Sequence, residues 1–273
     1  FKQLDYGQAP SAGYTAAGVG RVSDFRDGFG ETSFAPEGSV RFAINERANL
    51  YARYARGSKS GGFTADFGSG PDPDPVRFRQ ATVNSYEIGA KTLWFADRLR
   101  VDFNIFLSDY RDYQVTQFVQ SGDFFLPVTT NAGKVRTWGP ELSVSAAPLR
   151  GLKLSLDAAW LHAEYTRFPD GAVIAGVPQD YSGNRTEFAP ERTLATAIDY
   201  RCPLPGWPAT EGVAGVDYSY RSRYHTQASN DPRLRADTRS LLNGRAGLAA
   251  TGGRLEVTLY VDNALDERYY DSL

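Results

Sequence analysis

The chain has 273 residues, enough for one large core or two smaller domains, and carries 30 Lys+Arg against 32 Asp+Glu for a formal net charge of -2. That near-balance gives no electrostatic reason to expect nucleic acid as a partner. A mean hydropathy of -0.42 and the lack of an apolar run near about 18 residues exclude a transmembrane helix, but not a β-barrel, half of whose strand residues are polar.

About ten long strands are predicted from period-two alternation and turn signals, at 36–45, 48–57, 82–95, 98–117, 134–148, 151–166, 190–202, 212–226, 237–250 and 254–263. In the first, Val40, Phe42 and Ile44 alternate with Arg41 and Asn45. In the third, Glu87 and Lys91 lie opposite Tyr86, Ile88 and Trp94. In the fourth, Leu99, Val101, Phe103, Ile105 and Leu107 interleave with Arg100, Asp102, Asn104 and Ser108, Phe106 being the one exception. Leu142, Val144 and Ala146 then alternate with Glu141, Ser143 and Ser145, and Leu152, Leu154, Leu156, Ala158 and Trp160 with Lys153, Ser155 and Asp157. Leu194, Ile198 and Tyr200 alternate with Asp199 and Arg201, and Ala214, Val216, Tyr218 and Tyr220 with Asp217 and Arg221. Leu242, Ala246 and Leu248 alternate with Asn243 and Arg245, and Leu255, Val257, Leu259 and Val261 with Glu256, Thr258, Tyr260 and Asp262. Each strand therefore has one apolar and one polar face.

The connectors alternate in length. Glu46-Arg47, Ala96-Asp97, Leu149-Arg150 and Gly252-Gly253 are short, and 203–211 is somewhat longer. Residues 58–81, 118–133, 167–189 and 227–236 form long connectors rich in Gly, Pro, Asp, Asn or Ser, including the stiff run Pro71-Asp-Pro-Asp-Pro75. An up-and-down membrane barrel produces that series, with tight turns at one end and large loops at the other. A soluble antiparallel sheet with one solvated face gives the same alternation. Strand length, the loop series and 13% aromatic residues favour the barrel, whose interfacial girdles use such rings.

Four stretches resemble the TonB-dependent outer-membrane receptors. They are Tyr51-Ala-Arg-Tyr-Ala-Arg-Gly-Ser-Lys-Ser-Gly-Gly-Phe63; Asn84-Ser-Tyr-Glu-Ile-Gly-Ala-Lys91 with Arg98-Leu-Arg100 and Asp109-Tyr-Arg-Asp-Tyr-Gln-Val115; Asn131-Ala-Gly-Lys134 with Gly139-Pro-Glu141; and Val261-Asp-Asn-Ala-Leu-Asp-Glu-Arg-Tyr-Tyr270. The resemblance implies an all-β, antiparallel up-and-down transmembrane β-barrel, with residues 1–273 forming the C-terminal portion of a plugged barrel of about 22 strands. The plug domain and the last strand of the family have no counterpart here. Phe1 opens the chain and methionine is absent, so the chain reads as a fragment of something longer. The family implies energised import of a scarce nutrient, most often a ferric siderophore or similar metal complex, across the outer membrane of a Gram-negative bacterium. Its partners would be the lipid bilayer, TonB acting through the missing plug segment, and the nutrient complex. A passive porin or structural outer-membrane barrel is the alternative, and a soluble carbohydrate-binding sheet a third reading.

In such a barrel Arg53, Glu87, Lys91, Arg100, Glu141, Asp199 and Arg245 would face the lumen, together with Arg41, Asp102, Arg201, Asp217, Arg221 and Glu256. Ligand contacts are expected from aromatic rings and cations at or beyond the outer strand ends. Those are Arg56, Lys59, Phe63, Arg77, Phe118, Phe124, Phe125, Tyr181, Arg185, Tyr224 and His225. Nothing points to an enzyme. There is no GxSxG elbow or Walker loop, and Gly18-Val-Gly20 and Gly28-Phe-Gly30 open no helix after a strand. Cys202 is the only cysteine, and His162 and His225 form no HExxH pattern, so neither a metal site nor a cofactor is expected.

Overall fold

The computed structural model describes residues 30–64, 76–121, 124–174, 177–207, 209–250 and 254–269. Its strands are β1 (Glu37–Asn45), β2 (Ala48–Lys59), β3 (Gly62–Thr64), β4 (Val76–Phe78), β5 (Ala81–Trp94), β6 (Leu99–Arg111), β7 (Gln114–Ser121), β8 (Phe124–Asn131), β9 (Lys134–Ala146), β10 (Leu152–Trp160), β11 (His162–Arg167), β12 (Ala172–Ile174), β13 (Val177–Gln179), β14 (Arg192–Pro203), β15 (Thr210–Arg221), β16 (Tyr224–His225), β17 (Arg235–Ala236), β18 (Arg239–Ala250) and β19 (Glu256–Val261). One antiparallel sheet runs β1-β2-β5-β6-β9-β10-β14-β15-β18-β19, with β11 also paired to β9. Every neighbour along that path is the next long strand in sequence, so the topology is up-and-down. Among the described residues β1 and β19 are each paired on one side only.

The long connectors are not featureless. They carry the hairpins β3–β4, β7–β8, β12–β13 and β16–β17, all at the same end of the sheet. The strand predicted over 98–117 breaks at Asp112, whose φ of 51° turns the chain from β6 into β7. The strand predicted over 212–226 ends at Arg221, leaving Tyr224 and His225 in a hairpin. The one predicted over 151–166 divides into β10 and β11 opposite Gly139 and Pro140. Pro140 has no N–H for the ladder. At the same place the Trp160 carbonyl approaches Gly139 so closely that a Cβ there would lie 1.7 Å from the oxygen, and only glycine fits. At the short-turn end, Arg47 and Asp97 form an ion pair at 2.9 Å between neighbouring turns, and Leu93 N donates to Arg47 O at 2.8 Å.

The register sorts the side chains onto two faces. Val40, Leu50, Ile88, Phe103, Leu142, Leu156, Ile198, Val216, Leu242 and Leu259 share one, because each stands on the same parity as its cross-strand partner. That apolar face is uncovered: Val40 is 72% exposed, Ile88 60% and Leu259 77%. No second sheet packs on it among the described residues, and an apolar surface of that extent marks contact with a partner or a membrane. Aromatic side chains border it. Tyr54 and Tyr86 lie 5.3 Å apart and Trp138 and Trp160 6.4 Å apart toward the hairpin end, while Trp94 and Tyr200 stand toward the short turns. The opposite face carries the charges. The buried apolar residues gather where the hairpins leave the sheet, around Val115, Ala132, Val135, Tyr165 and Phe168.

Candidate functional site

The polar face is a connected lattice of paired charges. Arg53 reaches Glu37 at 2.9 Å, and Asp102 takes Arg100 at 2.7 Å and Lys91 at 3.9 Å. Tyr51 donates its hydroxyl to Glu87, and Lys91 sits 5.6 Å from the Tyr51 ring centre. Asn104 donates to Glu141 at 3.1 Å, and Ser143 to Asp157 at 2.5 Å. Further along, Arg245 pairs with Asp199, Arg201 with Glu256 at 2.7 Å and Glu211 at 3.3 Å, and Asn243 donates to Asp217 at 2.7 Å. The strand register puts all these groups on one face: some pairs join adjacent strands, Arg100 and Asp102 lie two apart along β6, and Arg245 and Arg201 reach past intervening strands to Asp199 and Glu256. The charges remain half-exposed, so the face is wet and the pairs contribute little stability individually. Their chemical effect is to hold a charged wall close to neutral.

The hairpin end is more tightly built. Asn131 joins three strand exits: Arg79 N donates to its Oδ1 at 2.6 Å, and its Nδ2 donates to Arg79 O at 3.0 Å and Asp112 O at 2.7 Å. Asp112 takes Arg79 at 2.5 Å, and Gln114 donates to Ser60 O at 2.9 Å. The signature Asn131-Ala-Gly thus works as a clamp, with Ala132 completely buried and Gly133 admitting the Arg167 carbonyl, which a Cβ would meet at 2.7 Å. Beside it Tyr165 is completely buried against Phe168 and Tyr113, with ring centres 5.0 and 6.3 Å away, and donates its hydroxyl to Glu187 at 2.5 Å. Burial first, and the Glu187 charge second, push that hydroxyl far above its ordinary range, so it stays a donor.

The residues expected to contact ligand are only partly brought together. Phe63 and Arg77 are opposite each other in the β3–β4 hairpin, and Lys59 ends β2. Arg56 lies inside β2 opposite Asn84, on the parity of the apolar face rather than in a loop. Phe118, Phe124 and Phe125 belong to the β7–β8 hairpin, and their side chains fall outside the described residues, as does Pro71–Pro75. Tyr181 packs edge-on to Phe168 at 5.8 Å and completes the loop core. Arg185 is a brace: it donates to His162 Nδ1 at 2.6 Å and pairs with Glu191 at 3.5 Å. With Nδ1 accepting, His162 carries its proton on Nε2, facing Glu164 at 3.0 Å. Asn230 grips the Arg185 backbone on both its N–H and C=O at 2.8 Å, tying the two last long connectors together. Arg221 lies 4.9 Å over the Tyr224 ring, and His225 keeps a buried Nδ1 with no hydrogen-bond partner. Sequence reading missed Asn131, Tyr165, Glu187 and Asn230 as builders of this end. Of these, Asn131 alone carried a signal, as part of a recurrent signature.

Burial, then the charges of Arg235 and Arg185, hold the His225 imidazole below its ordinary value of 6.5. The folded connector therefore binds fewer protons than the unfolded chain as pH drops below 6.5, and its stability falls there while remaining full above. Protease resistance of residues 222–238 should decrease on acidification through that window, and His225→Gln should remove the decrease. A pH response unchanged in the variant would assign it to another group.

A single-layer antiparallel sheet, apolar on its uncovered face and charge-paired on the other, with every large connector at one end, is the wall of a membrane β-barrel. Among the described residues no group of three or more His, Cys, Asp or Glu is placed to hold a metal ion. The chain belongs to the family of the TonB dependent receptor-like beta-barrel, whose pattern it matches over residues 5–264. It is 25% identical over 240 residues to the pesticin receptor of Yersinia pestis, covering 85% of this chain and 31% of that protein. It is 26% identical over 238 residues to the ferric-pyoverdine M114 receptor PbuA of Pseudomonas sp. (strain M114), covering 87% and 26%. The crystal structure of the ferric yersiniabactin uptake receptor FyuA from Yersinia pestis superimposes with a TM-score of 0.67 at 20% identity, over 85% of this chain and 32% of that one. The siderophore receptor PiuA from Acinetobacter baumannii follows the same fold at a TM-score of 0.62 and 17% identity, over 86% and 32%. The chain thus spans no more than about a third of the length of these relatives. The family is one of transport receptors, and its barrels reside in the outer membrane of Gram-negative bacteria, where this chain belongs.

Proposed function

We propose that residues 1–273 are the C-terminal portion of a barrel wall whose complete receptor imports a ferric siderophore or similar metal complex, driven by TonB acting on a plug inside the lumen. The observation that carries the reading is the two-faced sheet of a receptor-family barrel whose first and last strands are, among the described residues, each paired on one side only. Such edges expose rows of N–H and C=O groups that bilayer hydrocarbon cannot satisfy, so they call for further strands to close the wall. In the closed barrel the lattice Arg53, Glu87, Lys91, Arg100, Glu141, Asp199 and Arg245 faces the lumen, where a plug or water meets it. The apolar face meets lipid.

The braced hairpin end supplies the external mouth. Its cations and rings, among them the exposed Arg77 and the half-buried Tyr224, suit an anionic complex through charge-assisted hydrogen bonds and stacking. The names of the relatives, a ferric-pyoverdine receptor and a ferric yersiniabactin uptake receptor, favour iron complexes as cargo. The test is growth of a deletion strain under iron limitation on a panel of ferric chelators, with uptake of labelled iron measured beside it. Loss of uptake for one chelator class, restored by the intact gene but not in a TonB-deficient background, is expected. Undiminished uptake of every chelator, or uptake independent of TonB, would overturn the reading.

A further inference from the structure

The polar face departs from its pairing rule at the end where the tight turns lie. Lys153 on β10 stands directly opposite Asp199 on β14, the arrangement of a favourable cross-strand ion pair. That pair is not made. Arg245 on β18 reaches across β15 and takes Asp199 instead. Gly215, which stands between the two in the register, is what lets it pass: a Cβ there would lie 2.7 Å from Arg245 Nε and 2.8 Å from Asp199 Oδ1. Lys153 is left exposed. Arg98, just before β6, is exposed too, and neither has a side-chain hydrogen bond or ion pair among the described residues.

The two cations stand on either side of Ala147, whose N–H donates to Arg98 O at 2.7 Å, while Lys153 precedes Leu154, the partner of Ala146. Together they line an open depression of about 460 Å³, within the ~300–1,000 Å³ range of small-molecule sites. Its other lining is short-chained, with Ser145 and Ser155 opposite each other beside Ala147. Arg100 adds a third cation, which shares Asp102 with Lys91. Both carboxylates in the lining are engaged elsewhere, Asp97 by Arg47 at 2.9 Å and Asp199 by Arg245. Positive charge is therefore in excess here, on a wall whose charges otherwise pair off. A hollow lined by one sign of charge concentrates the opposite ion.

We propose that Arg98, Lys153 and Arg100 form a low-affinity anion site at the inner exit of the lumen, taking an anionic ferric chelate as it leaves. This rests on the reading that the polar face lines the lumen of an importer, with the hairpins outside. The chelate's oxygens accept charge-assisted hydrogen bonds from the guanidinium and ammonium groups. Cations that stay in water bind weakly, and a site of passage must attract its ion yet release it. A permanently seated acid would need no such arrangement, since Asp199 already stands opposite Lys153 and is drawn away from it.

The test uses the full-length receptor in neutral detergent, which opens both ends of the lumen to solvent. A fluorophore is placed on Ser155→Cys after every native cysteine, Cys202 included, is changed to Ser. The probes are iron(III) tris(2,3-dihydroxybenzoate), an anion, and iron(III) tris(acetohydroxamate), which is neutral, and each quenches a dye beside it. The anionic complex should quench at a concentration at least about fivefold lower than the neutral one. R98Q/K153Q should raise that concentration about fivefold or more, and R98K/K153R, which keeps both charges, should stay within about twofold. Equal quenching by the two complexes, or wild-type sensitivity in R98Q/K153Q, would overturn the proposal. Uptake of labelled iron by cells carrying the wild-type receptor separates the two readings. TonB-dependent uptake without selective quenching defeats the exit site alone, whereas a receptor that imports no ferric chelate defeats the importer reading as well.

Discussion

Tyr165→Ala is expected to loosen the hairpin end by about 3–5 kcal/mol, the range for removing a large buried ring. Tyr165 is the largest fully buried side chain among the described residues, and its environment is made by four separate stretches of chain: Val115 after β6, Ala132 and Val135 around the start of β9, Phe168 after β11, and Tyr181 in the connector beyond. Truncation leaves a cavity that rings on opposite sides cannot both fill. It also strands the Glu187 carboxylate that accepts the Tyr165 hydroxyl at 2.5 Å. Tyr165→Phe isolates the second effect, since it keeps the ring and removes the donor, and should cost about 1–3 kcal/mol. Amide hydrogen exchange over residues 181–187 reads both. Protection should fall most for alanine, part-way for phenylalanine, and little in the mid-strand amides of β9 and β10. An alanine variant with wild-type protection in 181–187 would mean that this cluster does not hold the connector in place. Because the connector also carries Arg185, loosening it should weaken the brace to His162 and blur the geometry of the mouth.

The sheet was far more legible in the sequence than its mouth, and the reason is physical. In a strand the neighbour relation has a fixed period, so Leu99, Val101, Phe103, Ile105 and Leu107 declare their common face without reference to any other part of the chain. The barrel parity of Arg53, Glu87, Lys91 and Asp199 follows from the same local rule. The mouth obeys no period. Asn131 makes its three bonds to Arg79 and Asp112, 52 and 19 residues back, and nothing local tells an asparagine in a loop that it will clamp two others. Arg185 read as an exposed cation, yet the Asn230 grip on its backbone turns it toward His162 and Glu191. Arg56 was read near the end of a strand over 48–57 and Lys59 in the connector that follows, whereas cross-strand bonding to β5 carries β2 on to Lys59. The break at Leu161 needed the partner strand, since the missing N–H belongs to Pro140 and not to the strand that is interrupted.

Phe103→Arg should destabilise the inserted barrel by about 2–4 kcal/mol, as expected for a cation on a barrel's lipid face near the midplane. Phe103 stands within β6, opposite Leu142 on β9 and Ala90 on β5, with three residues separating it from Leu99 on one side and from Leu107 on the other. It is 42% exposed in the isolated sheet, so the cost comes from what covers the face and not from packing within the chain. Ser143→Arg is the matched control. Ser143 faces the other way, beside Asp102 and Asp157, and an arginine there enters a wet wall with two carboxylates at hand, for a cost far smaller. Urea titration of the full-length receptor refolded into phosphatidylcholine vesicles measures both. The comparison discriminates because the two positions are neighbours at one depth, and differ only in parity. Were the apolar face buried against protein, arginine at Phe103 would clash or hydrate according to that partner and would show no dependence on bilayer thickness. A lipid-facing position predicts that the penalty shrinks in thinner bilayers, where the side chain reaches the interface more easily. Equal costs at Phe103 and Ser143 would invert or abolish the assignment of faces, and with it the placement of the charged lattice in the lumen.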